Sequence, residues 1–135
     1  MPRRSSVFVV SFAVLAVLLL GVACSKKDAT APYRPPAECS SPGPPSGGGT
    51  QAIVAIRGFA FTPDTLRIGA GTTVTWVNCE TPDIDAHTAT ATGGGAWDSG
   101  YLPPGAKYTR PFTTAGSFGY GCLPHPFMKG AVIVQ

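Results

Sequence analysis

Tyr120-Gly121-Cys122-Leu123-Pro124-His125-Pro126-Phe127-Met128-Lys129-Gly130 lies just before the end of the chain. It sets a thiol, an imidazole and a thioether in a Cys-x-x-His-x-x-Met spacing. A soft thiolate and an imidazole this close suit copper, and a thioether adds a weak, long axial contact. A trigonal site of this type needs a second imidazole. The chain has two histidines, His87 and His125, and two methionines, one of them the initiator Met1. Every histidine and the single internal methionine therefore stand where a copper site would use them. The alternative is an ordinary loop with a buried thiol, a packed methionine and a surface histidine. A lone Cys and His pair would favour that alternative; the full set of four does not.

Outward from this stretch the chain reads as short strands. Ser117 to Cys122 is a strand that delivers the thiol, and Ala131 to Val134, apolar on both faces, is a central last strand. Upstream, Thr72 to Asn78 puts Val74 and Trp76 on one face and Thr73 and Thr75 on the other, the period of a half-buried strand. Ala52 to Ile56 reads as a first strand with Val54 and Ile56 inward. Thr65 to Ile68, His87 to Thr92 and Lys107 to Phe112 read as further strands. Pro63-Asp64, Gly69-Ala70-Gly71, Gly93-Gly94-Gly95 and Pro103-Pro104-Gly105 punctuate them as turns. No helical period runs over enough residues to matter. Short strands with regular Gly/Pro punctuation predict a two-sheet sandwich of seven or eight strands.

The stretch around Cys122 resembles the copper loop of the cupredoxins, most closely amicyanin and the small plastocyanin-like bacterial proteins. The likeness continues through Gly71-Thr72-Thr73-Val74-Thr75-Trp76-Val77-Asn78, His87-Thr88, Trp97-Asp98-Ser99-Gly100 and Leu102-Pro103-Pro104-Gly105. It covers about residues 51–135. The resemblance implies an all-β Greek-key sandwich holding one copper ion that cycles between Cu(I) and Cu(II). It implies His87, Cys122, His125 and Met128 as ligands, supported by Asn78 and by the backbone N–H of Thr88 donating to the Cys122 sulfur. The implied activity is single-electron transfer between redox proteins by a monomer, without catalysis. The segment Cys79 to Ala86 departs from the family: it is longer, and Ala86 and Thr88 flank the histidine where relatives usually have proline before it and often asparagine after.

Other roles follow from the residues themselves. Pro124 and Pro126 flank His125, stiffening the loop and removing two N–H donors. With Phe127 they are expected to form a small apolar patch where a redox partner docks weakly. The alternative for Phe127 is inward packing.

Residues 1–23 read as a secretory signal: Arg3 and Arg4, then the uncharged run Val7 to Ala23, shorter than the ~20 residues of a membrane span. Gly21-Val22-Ala23 before Cys24 resembles a bacterial lipobox, so Cys24 is the expected lipid anchor; ordinary signal cleavage is the alternative. Residues 24–50 read as a disordered tether, since prolines, glycines and serines fill 14 of the 26 positions from Ser25 to Thr50. The protein is thus expected outside the cytoplasm, in the periplasm or at the cell surface. Export also makes a Cys39–Cys79 disulfide the expected pairing, with two unpaired thiols as the alternative.

The formal charge of +3 is misleading. From Gln51 onward five basic residues (Arg57, Arg67, Lys107, Arg110, Lys129) balance five acidic ones (Asp64, Glu80, Asp83, Asp85, Asp98). No basic face argues for nucleic acid. No histidine is left for a second copper centre or for a hydrolytic base. Copper storage or delivery is the remaining rival, and it would call for a more open and methionine-rich site.

Overall fold

In the computed structural model the described residues are 32–45, 50–93 and 95–135; the segment read as a secretory signal and Cys24 lie outside them. Eight strands follow in order: β1 (Gln51–Arg57), β2 (Ala60–Thr62), β3 (Thr65–Ile68), β4 (Thr72–Asn78), β5 (Thr90–Gly93), β6 (Lys107–Phe112), β7 (Gly116–Gly121) and β8 (Lys129–Val134). They form two four-stranded sheets, ordered β2-β1-β4-β6 and β3-β8-β7-β5. β1 runs parallel to β4 and β3 parallel to β8; the remaining pairs are antiparallel. The architecture is the expected cupredoxin sandwich, with β8 interior to its sheet.

The period-two patterns explain the packing. Val54, Ile56, Val74 and Trp76 are fully buried; Phe112 joins them from β6 of the same sheet, and Leu66, Tyr120 and Val132 come from the other sheet. Each such side chain contributes on the order of 1.5–3 kcal/mol on burial. Trp76 sits at the centre, with Tyr120, Tyr108, Phe112 and Trp97 around its ring. Gly130 lets β8 lie against Tyr120: a Cβ there would fall 2.5 Å from the phenol ring.

Two local features differ from the sequence reading. Ala60–Thr62 is a separate strand, closing a two-residue hairpin at Gly58-Phe59. The strand expected from His87 begins only at Thr90; His87 itself makes an isolated bridge to Leu102. The reason lies in the partner. Leu102 stands immediately before the turn closed by Ala106 N–H on the Pro103 carbonyl, so it offers one paired residue rather than a ladder.

The unit that holds the sandwich starts at Pro32, inside the stretch read as tether. Ala37–Ser40 form one 3-10 turn, and Gly43 bridges Ile53 of β1. Cys39 and Cys79 form a disulfide with Cα atoms 5.8 Å apart. Arg57 donates to the Cys39 carbonyl oxygen at 3.0 Å, and Lys107 pairs with Glu38. A Pro/Ser-rich arm too polar to fold alone is thus held by one covalent link and a few polar contacts. Among the described residues no helix is long and apolar enough to cross a membrane.

Candidate metal centre

The upstream imidazole is placed from both sides. His87 N–H donates to the Leu102 carbonyl at 3.1 Å, and Leu102 N–H donates to the His87 carbonyl at 2.7 Å. Asn78, buried at the end of β4, donates from Nδ2 to the same Leu102 oxygen at 2.8 Å. Its Oδ1 accepts from the Glu80 N–H at 3.0 Å, which starts the long Cys79–Ala86 segment. Asn78 therefore fixes both the loop before His87 and the residue opposite it.

The other donors come from the connection between β7 and β8. Cys122 N–H donates to the Met128 carbonyl at 3.1 Å, and Met128 N–H donates to the His125 carbonyl at 2.9 Å. These bonds close Cys122 to Met128 into a compact turn at one end of the sandwich. Gly121 permits it, since a Cβ there would meet the Met128 oxygen at 3.1 Å. The loop is tied to the segment just before β5 through Thr88: its N–H donates to Cys122 Sγ at 3.3 Å, and its Oγ1 accepts from Leu123 N–H at 2.9 Å.

Three donor atoms converge. His87 Nδ1 and His125 Nδ1 are 3.1 Å apart, and Cys122 Sγ lies 3.7 Å and 3.5 Å from them. A point equidistant from all three falls about 2 Å from each, a metal–imidazole bond length. Two imidazole nitrogens and a thiol sulfur facing one point are a donor set suited to a soft or borderline cation. His87 and Cys122 are buried and His125 is half-buried. Met128 is 2 % exposed and belongs to the same core cluster as Cys122. The donor set fits copper.

The surroundings of His87 act on its titration. Burial pushes the His87 pKa down, and the neighbouring His125 adds to the shift; Glu80 pulls the other way. His87 is therefore held in the neutral form that binds metal. Its Nε2 faces Glu80 Oε1 at 3.5 Å and makes no closer hydrogen bond. Glu80 was missed in the sequence reading, although its place two residues after Asn78 in the extended loop is the signal that marks it. Phe59 was also missed: its ring lies 5.3 Å from that of His87 and 5.0 Å from that of His125.

The surface near His125 is apolar. Phe127 is 70 % exposed, so it does not pack inward. Pro124 and Pro126 are exposed as well. Leu123, at 59 % exposure, extends the same loop surface and was not anticipated.

Comparison with known proteins agrees with this geometry. Residues 50–135 match the model of the copper binding proteins of the plastocyanin/azurin family. The amicyanin of Paracoccus denitrificans is 34% identical over 84 residues, which are 62% of this chain and 64% of that protein. The plastocyanin of Scenedesmus fuscus is 40% identical over 86 residues, covering 57% of this chain and 88% of that one. A solved Cu(I) form of an amicyanin mutant superposes with a TM-score of 0.58 at 27% identity, over 77% of this chain and 95% of that chain. The chain spans less than two thirds of the Paracoccus amicyanin it matches. Since the match runs from the first strand to the last residue and the sandwich is shared, the chain belongs to the plastocyanin/azurin family of copper-binding proteins, the cupredoxins, and its cofactor is copper.

Proposed function

We propose that this protein is a blue-copper electron carrier and not an enzyme, with one copper ion held by His87, Cys122, His125 and Met128. The convergence of two imidazole nitrogens and one thiol sulfur within 4.8 Å of one another carries the proposal. Copper held this way supplies a one-electron Cu(I)/Cu(II) couple. The residues supply the rest. Cys122 binds as thiolate, so loading releases a proton. The Thr88 N–H at 3.3 Å stabilises charge on that sulfur. Leu102 and Asn78 fix His87 from the strand side, and Pro124 and Pro126 stiffen the loop bearing His125. Rigid donors lower the rearrangement that accompanies each electron. Half-buried His125, bordered by Pro124, Pro126 and Phe127, is the proposed exit to a redox partner docking by a small apolar contact.

The extracytoplasmic assignment is supported by the Cys39–Cys79 disulfide together with the Arg3-Arg4 and Val7–Ala23 pattern. Lipidation at Cys24 is proposed as the membrane anchor. Detergent-phase partitioning of the full chain against Cys24→Ser tests it: equal partitioning removes the anchor.

The optical spectrum of the cupric domain tests the carrier assignment. An intense thiolate-to-copper band, absent in Cys122→Ala, is expected, with reversible one-electron voltammetry and slow loss of copper to chelators. A colourless protein, or rapid loss without a stable couple, overturns it.

A further inference from the structure

The hairpin joining β1 and β2 carries an unexplained cost. Arg57 pairs with Ala60, so Gly58 and Phe59 form a two-residue turn. Both have positive φ, 58° and 55°. Such turns favour glycine or asparagine, because a Cβ in the left-handed region crowds the following carbonyl oxygen. Among the described residues Phe59 is the one non-glycine with positive φ. A bulky aromatic persists there only if its surroundings over-determine it.

Those surroundings are the metal site. The Phe59 N–H, pointing away from the hairpin ladder, donates to Glu80 Oε1 at 2.9 Å. The same oxygen stands 3.5 Å from His87 Nε2. The Phe59 ring meets both imidazoles nearly perpendicularly, at 89° to His87 and 87° to His125. The imidazole centroids are themselves 4.9 Å apart, so the three rings form a near-equilateral cluster. One wall of that cluster belongs to neither ligand segment.

We infer that Phe59 is a positioning residue for the copper-binding imidazoles. Its ring sets their separation and covers them from the hairpin side, while Glu80 holds the turn that presents it. The strained turn is then the cost of placing a rigid wedge against both rings. This inference rests on the proposed ligand set, and it does not require electron transfer to be the function.

Three variants test it: Phe59→Gly, which relieves the turn; Phe59→Leu, which keeps bulk without a ring; and Phe59→Tyr, which keeps the ring. The copper-free proteins are compared by thermal denaturation and by NMR of the histidine ring protons. The loaded proteins are compared by midpoint potential and by copper extraction with a Cu(I) chelator. Expected are a copper-free Phe59→Gly domain melting close to wild type, with broadened imidazole resonances. Its extraction should be roughly ten- to hundredfold faster, the range for loss of a ligand-supporting contact, and its potential should shift. Phe59→Tyr should restore slow extraction and Phe59→Leu should not. Equal extraction by the Leu and Tyr variants overturns the inference, including where Phe59→Gly fails to fold. So does faster extraction that merely tracks faster unfolding. If the wild type lacks the thiolate-to-copper band, the carrier assignment fails, and the same series with zinc still decides the role of Phe59.

Discussion

The backbone N–H of Thr88 lies 3.3 Å from Cys122 Sγ, so the segment that carries one imidazole also holds the sulfur of the distant loop. The Thr88 hydroxyl strengthens the tie by accepting from Leu123 N–H at 2.9 Å. Thr88→Val keeps the shape and the backbone donor but leaves Leu123 N–H unpaired. It should cost about 1–3 kcal/mol in urea denaturation of the copper-free domain. The thiolate-to-copper band should survive, because the N–H to sulfur contact is main chain.

The Cys39–Cys79 bridge closes a separation of 40 residues. In the chain-entropy model a loop of this size contributes about 4 kcal/mol. A Cys39→Ser/Cys79→Ser double variant should lose close to that amount. It should also become sensitive to proteolysis within residues 32–50, since the remaining ties are few. Matched denaturation curves with and without the bridge check both points.

Stability of the copper-free domain should fall in mild acid. Burial lowers the His87 pKa in the fold, so between that value and the ordinary value near 6.5 the unfolded chain binds more protons. The stabilisation is complete above about pH 6.5 and is lost as pH falls toward the folded value, at up to ~1.4 kcal/mol per pH unit. Urea curves at stepped pH should show this slope, and His87→Gln should flatten it.

Phe127 projects its ring beside His125 with centroids 5.9 Å apart and remains mostly exposed. Phe127→Asp places a charge where the docking contact is proposed. Stopped-flow electron exchange with a protein partner should slow roughly tenfold, the effect of losing an interface residue worth ~1 kcal/mol or slightly more. Exchange with a small inorganic reagent should change far less. An unchanged protein rate would remove the patch from the account.

Much of this was legible without coordinates. The alternation in Thr72–Asn78 marked that strand to the residue, because Val74 and Trp76 are buried while Thr73 and Thr75 are only half-buried; the bounds read for Lys107–Phe112 match as well. Hairpin β2 was missed because three residues are too few to show a period. The support around His87 was missed for another reason. Leu102, Glu80 and Phe59 are 15, 7 and 28 positions from it, and no local pattern relates them.

The sequence by itself determined the chemistry: two histidines, one thiol at a Cys-x-x-His-x-x-Met spacing, and one internal methionine leave copper few other donors. It also determined the sandwich, because burial of alternating residues is a property of each strand alone. Only the tertiary structure decided which imidazole is dry and which reaches solvent. It alone seated Glu80 and Phe59 behind the ligands and turned Phe127 outward. Those outcomes depend on which loops end at the same edge of the sandwich, and that is fixed by strand order and register across the whole chain.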